Sequence, residues 1–225
     1  MKERPILFSA PMVRAILDGS KTQTRRVVKL PPAPDHLGQW EATSVGGGGV
    51  YDQHGRKIPY QGAIWHTRTG KVICSPHGQP GDRLWVRETF CPIYPQDPAY
   101  NGGQPIEYDY AATYQHGDRL GDHLGVKKVW KPSIHMPRTA SRILLEVTGV
   151  RVERLQDISE ADAIAEGIEG SLGVYRDYHQ DDGIFAYGQD SYRSLWELIN
   201  GPGSWEANPW AWVVEFKRIN MTHEH

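Results

Sequence analysis

Residues 141–155, Ser-Arg-Ile-Leu-Leu-Glu-Val-Thr-Gly-Val-Arg-Val-Glu-Arg-Leu, restrict the fold more than any other stretch of the chain. They form the longest strand-like run, rich in β-branched residues, and Gly149 marks a bend because a glycine inside a strand often sits at a bulge. Shorter strand-like pieces lie at 5–9, 22–28, 81–90 and 107–114, and the alternation of Ala-Trp-Val-Val-Glu-Phe-Lys-Arg-Ile makes 211–219 a final strand. A hairpin is expected where 63–67 and 71–74 flank Thr69-Gly70. Helices are predicted at 10–19, where Val13, Ile16 and Leu17 share a face and Gly19 suits the left-handed terminus, at 159–166 and at 191–199. Strands and helices do not alternate in a regular rhythm. That argues against a doubly wound sheet and for an α+β, mainly β fold: a partly closed antiparallel β-barrel decorated with short α-helices.

With 225 residues, 39% of them apolar, the chain can bury one core, and we expect a single domain over 1–225. Pro and Gly cluster in 30–60, 91–106 and 170–190, which points to two insertions at about 30–80 and 91–133. The formal net charge of −2 demands neither nucleic acid nor a membrane as partner. Locally the charges separate: 1–30 and 125–154 each hold seven Lys or Arg against two acids, while 157–190 hold nine acids against Arg176 alone. Such segregation either builds an electropositive surface beside an acidic segment or simply solvates loops. Cys74 and Cys91 make no disulfide framework, and neither a signal peptide nor an apolar run of membrane-spanning length is visible, so the chain reads as cytoplasmic.

The first chemical candidates are Lys21 and Thr24, in the turn where a helix ends and a strand begins. A Thr hydroxyl becomes a nucleophile when a neighbouring base takes its proton, and a Lys serves as base when burial or cationic neighbours, here Arg25 and Arg26, depress its pKa. The alternative is an exposed polar turn entering an edge strand. A phosphate-binding P-loop is set aside, because Ser20 stands where a glycine should precede the Lys. Glu166 is the second candidate. It closes the 159–166 helix, where a carboxylate opposes the dipole, and it stacks on Asp162 one turn back. Function or a merely solvated helix end would account for it. Cys74, His77 and Cys91, with His66 nearby, hold one Cys-x-x-His pair and an irregular remainder, a weak pattern for zinc; no metal and no cofactor is expected. The crowded Trp196, Trp205, Trp210 and Trp212 serve as core packing or as a stacking platform for a base.

The Gly19-x-Lys21-Thr22-x-Thr24-x-Arg26 turn, the Gly81-Asp-Arg-Leu-Trp-Val-Arg strand, Leu145-Glu-Val-Thr with the Glu-bearing helix after it, and Trp212-Val-Val-Glu-Phe resemble the ASCH domain, a branch of the PUA-like superfamily. Ile134-His-Met-Pro-Arg138 and Asn200-Gly-Pro-Gly-Ser-Trp205 fit its longer, prophage-type members. The resemblance covers 5–29, 81–90 and 134–219. It implies a small β-barrel with a cleft, and two kinds of activity. Some compact members are amidohydrolases that remove the acyl group of an N4-acylated cytidine such as N4-acetylcytidine, with a Lys, a Thr nucleophile and a Glu. Carried over by motif, these are Lys21, Thr24 and Glu166, with Glu160 or Asp162 in place of Glu166 if the helix is aligned differently. Arg26, His135, Pro137 and Arg138 are the implied substrate-binding residues, and His135 otherwise reads as a loop histidine that fixes backbone. Other members bind or cleave RNA, which gives the alternative of an RNA- or modified-nucleotide-binding module using the same cleft, with Lys127, Lys128 and Arg138 as contacts. In the hydrolytic scheme neutral Lys21 is the base, Glu166 positions it or protonates the leaving amine, and Arg26 or a backbone N–H steadies the oxyanion. An ionised Glu166 raises the pKa of Lys21, so the scheme requires burial or the two Arg to offset it.

Overall fold

The computed structural model describes residues 1–31, 38–97, 99–114 and 130–219. Lys127 and Lys128 lie outside them. The described chain is mainly β with helices, an α+β architecture. In chain order it runs β1 (Glu3–Leu7), α1 (Ala10–Asp18), β2 (Gln23–Val27), β3 (Trp40–Val45), β4 (Gln61–His66), β5 (Val72–Cys74), β6 (Arg83–Arg87), β7 (Phe90–Ile93) and β8 (Glu107–Tyr110). It continues through β9 (Leu144–Arg154), α2 (Glu160–Ala165), β10 (Gly170–Ser171), β11 (Val174–Arg176), β12 (Ile184–Phe185), α3 (Gly188–Asn200) and β13 (Trp210–Ile219). No described helix is long and apolar enough to cross a membrane.

The main sheet has the order β1-β6-β9-β13-β2. Its long central strands, β9 and β13, pair antiparallel along their whole length, with a shift opposite Glu215 and Phe216 that leaves Thr148 unpaired. Gly149 sits at that bulge, where a Cβ would come within 2.5 Å of the Glu215 carboxylate and oblige that side chain to move. Two features depart from the expected antiparallel barrel. β1 pairs with β6 in parallel, which the long excursion between them permits. Among the described residues no ladder joins the edge strands β1 and β2; instead the Arg26 guanidinium donates across the gap to the Leu7 carbonyl at 2.7 Å. The 30–80 region is also more ordered than a loop, since β3, β4 and β5 form a sheet of their own, and so do the short β10, β11 and β12.

The principal core lies between α1 and the main sheet, where Phe8, Val13 and Ile16 meet Leu145, Val147 and Phe216. A second cluster joins α2 and α3 through Leu155, Ile158, Ala163, Tyr192 and Trp196. Strand β2, an edge of the main sheet whose Gln23, Thr24 and Arg25 are buried, runs along the seam between the two.

Candidate active site

The seam is built from backbone first. Helix α1 ends at Gly19, whose φ of +87 is the left-handed terminus its sequence called for. The chain then doubles back so closely that the Lys21 N–H donates to Ala15 and the Thr22 N–H donates to Ala165, the last residue of α2. Gly167, at φ +77, allows this contact: a Cβ on it would stand 2.7 Å from Lys21 Cβ and 2.8 Å from Ala15 Cβ. Helix α2 starts at Ser159, whose hydroxyl accepts the Asp162 N–H at 3.1 Å. It stops at Glu166, which forms a single antiparallel bridge with Lys21.

The side chains follow from that bridge. Lys21 has no exposed side chain, and its amine donates to Glu166 Oε2 at 2.9 Å and to the Glu166 carbonyl at 2.7 Å. The Phe8 ring lies near the same amine, 5.6 Å to the centroid. Arg25, equally buried, donates from Nη1 to Glu166 Oε1 at 3.1 Å and from Nε to Glu153 at 3.1 Å, and its Nη2 lies 3.4 Å from Asp162 Oδ2. Arg151 continues the array by pairing with Asp162 at 2.9 Å, with Glu153 and with Glu215. The stacked carboxylates of α2 are thus divided by a guanidinium rather than solvated.

Burial sets the charges. Desolvation pulls the Lys21 pKa below its ordinary value; Glu166 pushes back, and Arg26 and Arg25 add to the fall. Desolvation also opposes the charge of Arg25, but Glu166, Tyr192 and Glu153 outweigh it and raise its pKa. Burial holds the Tyr192 phenol well above its usual range, with the Glu166 charge adding to the effect.

Beside this cluster is a cavity of about 80 Å³, with Thr24, Arg25, Arg26 and Glu166 on one wall and Tyr192 and Trp196 of α3 on the other. Ile199 and Asn200, exposed residues of the last turn of α3, also border it and mark its mouth. That volume holds two or three water molecules at about 30 Å³ each, well below the roughly 300 Å³ at which pockets for whole small ligands begin. Thr24 borders this space although it is 2% exposed, and its hydroxyl makes no hydrogen bond among the described residues. The Trp196 indole N–H is buried without an acceptor among them. Lys21 sits behind Glu166 and does not border the cavity.

Of the residues singled out in sequence, Lys21, Thr24, Arg26 and Glu166 converge on the seam. His135, Pro137 and Arg138 do not border the cavity. Their segment is fixed at the ends of β1 and β6, where Arg138 pairs with Glu3 at 2.9 Å and Arg87 donates to the Ile134 carbonyl. Glu160 caps α3 instead, accepting the Gly188 N–H at 2.6 Å. Glu153 and Tyr192 were not singled out in sequence, Arg25 was read only as a cationic neighbour of Lys21, and Trp196 only as core packing or a stacking platform for a base. The i, i+2 placement of Arg151 and Glu153 on one face of β9 is a local signal that points to the array. The chain has no match among the protein-family models, the curated proteins or the solved structures with which it was compared.

Proposed function

We propose that this chain is a cytoplasmic amidohydrolase that removes an acyl group from the exocyclic N4 amine of an acylated cytidine or related nucleoside, as its resemblance to the ASCH domain implies. The observation that carries this reading is that Thr24, whose hydroxyl has no hydrogen-bond partner among the described residues, borders the same cavity as Glu166, whose carboxylate a buried lysine and arginine share. A cavity of about 80 Å³ suits a small acyl-amide end, with the nucleoside lying across the mouth beside Ile199. Thr24 Oγ1 bonds to the acyl carbon while its proton passes through Glu166 into the Lys21–Glu166 pair. The pair returns a proton to N4 as the C–N bond breaks. Water then attacks the acyl-threonine ester, releasing the carboxylate and restoring the hydroxyl. Arg26 borders the cavity and would face the oxyanion. The binding-only reading has less behind it, because Arg138 is engaged by Glu3 and the cavity of about 80 Å³ bordered by Thr24 is too small for a whole base.

Incubating the purified protein with N4-acetylcytidine and following cytidine by chromatography tests the proposal. Turnover by wild type and a loss of about 10³-fold or more in Thr24→Ala are expected. Absence of turnover by wild type, or undiminished turnover by the variant, would refute it.

A further inference from the structure

A lysine beside a single glutamate in a dry site makes a poor base, because the carboxylate stabilises the ammonium. Lys21 stands in that position toward Glu166, with two contacts to the same residue. What changes the balance lies on the other carboxylate oxygen. Arg25 donates to Glu166 Oε1 at 3.1 Å from a side chain with no exposure. A guanidinium has five N–H donors and keeps its proton in proteins, so the positive charge it brings is fixed.

Glu166 has a fixed countercharge without a proton on Lys21. From β2 come Arg25 and Arg26, from β9 Arg151 and Glu153, from α2 Asp162 and Glu166, and from β13 Glu215. Three guanidinium groups thus face four carboxylates, of which Glu215 keeps 44% of its side chain in solvent, and the one bound to Glu166 is Arg25. From α3 the Tyr192 hydroxyl faces the same groups and stays protonated, and from the segment after β1 comes only the Phe8 ring. A neutral amine has two N–H donors and one lone pair. Glu166 accepts both donors, at Oε2 and at its carbonyl, and the lone pair is left over.

We propose that Arg25 is a positioning residue: by binding Oε1 of Glu166 it supplies that carboxylate's countercharge, and so leaves Oε2 and the carbonyl to hold Lys21 as a neutral base. The catalytic meaning of this role rests on the hydrolase reading, but the electrostatic role does not. Lysine could not substitute fully for Arg25, because a single ammonium does not span Glu166, Glu153 and Asp162 together.

The test is to titrate Lys21 directly in the full chain without substrate, using lysine labelled with ¹⁵N and ¹³C at the amine end and Lys21→Arg to assign the resonance. In Arg25→Gln the midpoint should rise by about one pH unit or more, because a cation has been lost and Glu166 is left wholly to Lys21. Arg25→Lys should bring it part of the way back. Glu153→Gln, which leaves Arg25 more completely to Glu166, should move it downward and guards against an Arg25→Gln chain that does not fold. The acid limb of the pH–rate profile should shift with the midpoint in each variant. A midpoint unmoved in Arg25→Lys and Glu153→Gln, with turnover falling only as stability falls, would make Arg25 purely structural and overturn the inference. A midpoint that moves as stated in a chain without turnover on N4-acetylcytidine would uphold the inference and remove the hydrolase reading instead.

Discussion

Among the described residues two glutamates are almost completely buried, and they are held in opposite ways. Glu88, 1% exposed, follows β6 and meets a single partner in a closed fork: Arg142 donates from Nε to Oε1 at 2.9 Å and from Nη2 to Oε2 at 3.0 Å. That guanidinium packs 4.0 Å from the Tyr110 ring centre and keeps 29% of its side chain in solvent. Glu166, 4% exposed, divides its oxygens between Lys21 and Arg25, neither of which is exposed at all, and borders a cavity. Both carboxylates satisfy the requirement that a buried charge be paired. The difference lies in what the partners can do. A fork to one permanently charged arginine has no proton to exchange and ties two segments together. A carboxylate shared by an arginine and a lysine leaves one partner able to change its protonation state.

The largest expected effect separates the two directly. Glu166→Gln leaves the wholly buried Arg25 cation without its Glu166 countercharge and breaks the side-chain contact to Lys21, and should lower the unfolding free energy by about 3–5 kcal/mol. Glu88→Gln strands one arginine that can turn to water, and a loss of about 1–3 kcal/mol is expected. Denaturant titration of both variants checks the order, and equal losses would erase the distinction. On N4-acetylcytidine, Glu88→Gln should keep its turnover per folded molecule while Glu166→Gln loses it.

The sequence revealed one side of this contrast better than the other. Gly19, Lys21 and Thr24 were legible because a helix terminus and a strand entry are decided by residues a few positions apart. Ser159 and Gly167 bounded α2 for the same reason, and Glu166 stood out because a carboxylate at a helix C-terminus breaks a local rule. Arg25 was legible only as a neighbour of Lys21. Its meaning comes from Glu153 and Asp162, more than a hundred residues away, and no local pattern encodes that contact. Strands β10 to β12 span two or three residues each, too few to display a period. Strand β3, Trp-Glu-Ala-Thr-Ser-Val, lies among glycines and is largely exposed, so it lacks the apolar alternation by which strands are read. The placement of His135, Pro137 and Arg138 away from the cavity follows from Arg87 and Glu3, two side chains that their own segment does not contain.

A smaller perturbation sharpens the comparison by loosening one carboxylate and not the other. Glu166 ends a helix of six residues whose first turn is closed by the Ser159 hydroxyl. Ser159→Ala should cost about 1 kcal/mol of stability. The loss should be local, with faster amide exchange at Thr22, whose N–H is bonded to Ala165 at the end of α2, and none at Val86, bonded to Ile143 beside Glu88. Equal acceleration at both amides would mean that the cap supports the whole fold rather than the Glu166 half of it.

The smallest effect concerns a third partly buried ionisable group, which lacks any partner of opposite charge. His77, in the loop after β5, is pushed down to about 4 by burial and then by Arg26 of β2 and Arg4 of β1. Where the two glutamates gain from the arginines around them, this imidazole is opposed by them. Its folded pKa lies below the unfolded value of about 6.5, so the native chain binds fewer protons between those limits. The stability tied to keeping it neutral is fully present above pH 6.5 and is lost as pH falls toward 4. Halved for the ring's remaining contact with solvent, the loss at pH 5 is about 1 kcal/mol. His77→Gln should therefore unfold at nearly the same denaturant concentration as wild type when shifted from pH 8 to pH 5, relative to its own pH 8 value, apart from the response of other groups common to both chains. Wild type should fall further by that increment. If both chains fall equally, neither burial nor Arg26 and Arg4 depress the His77 imidazole in the folded chain.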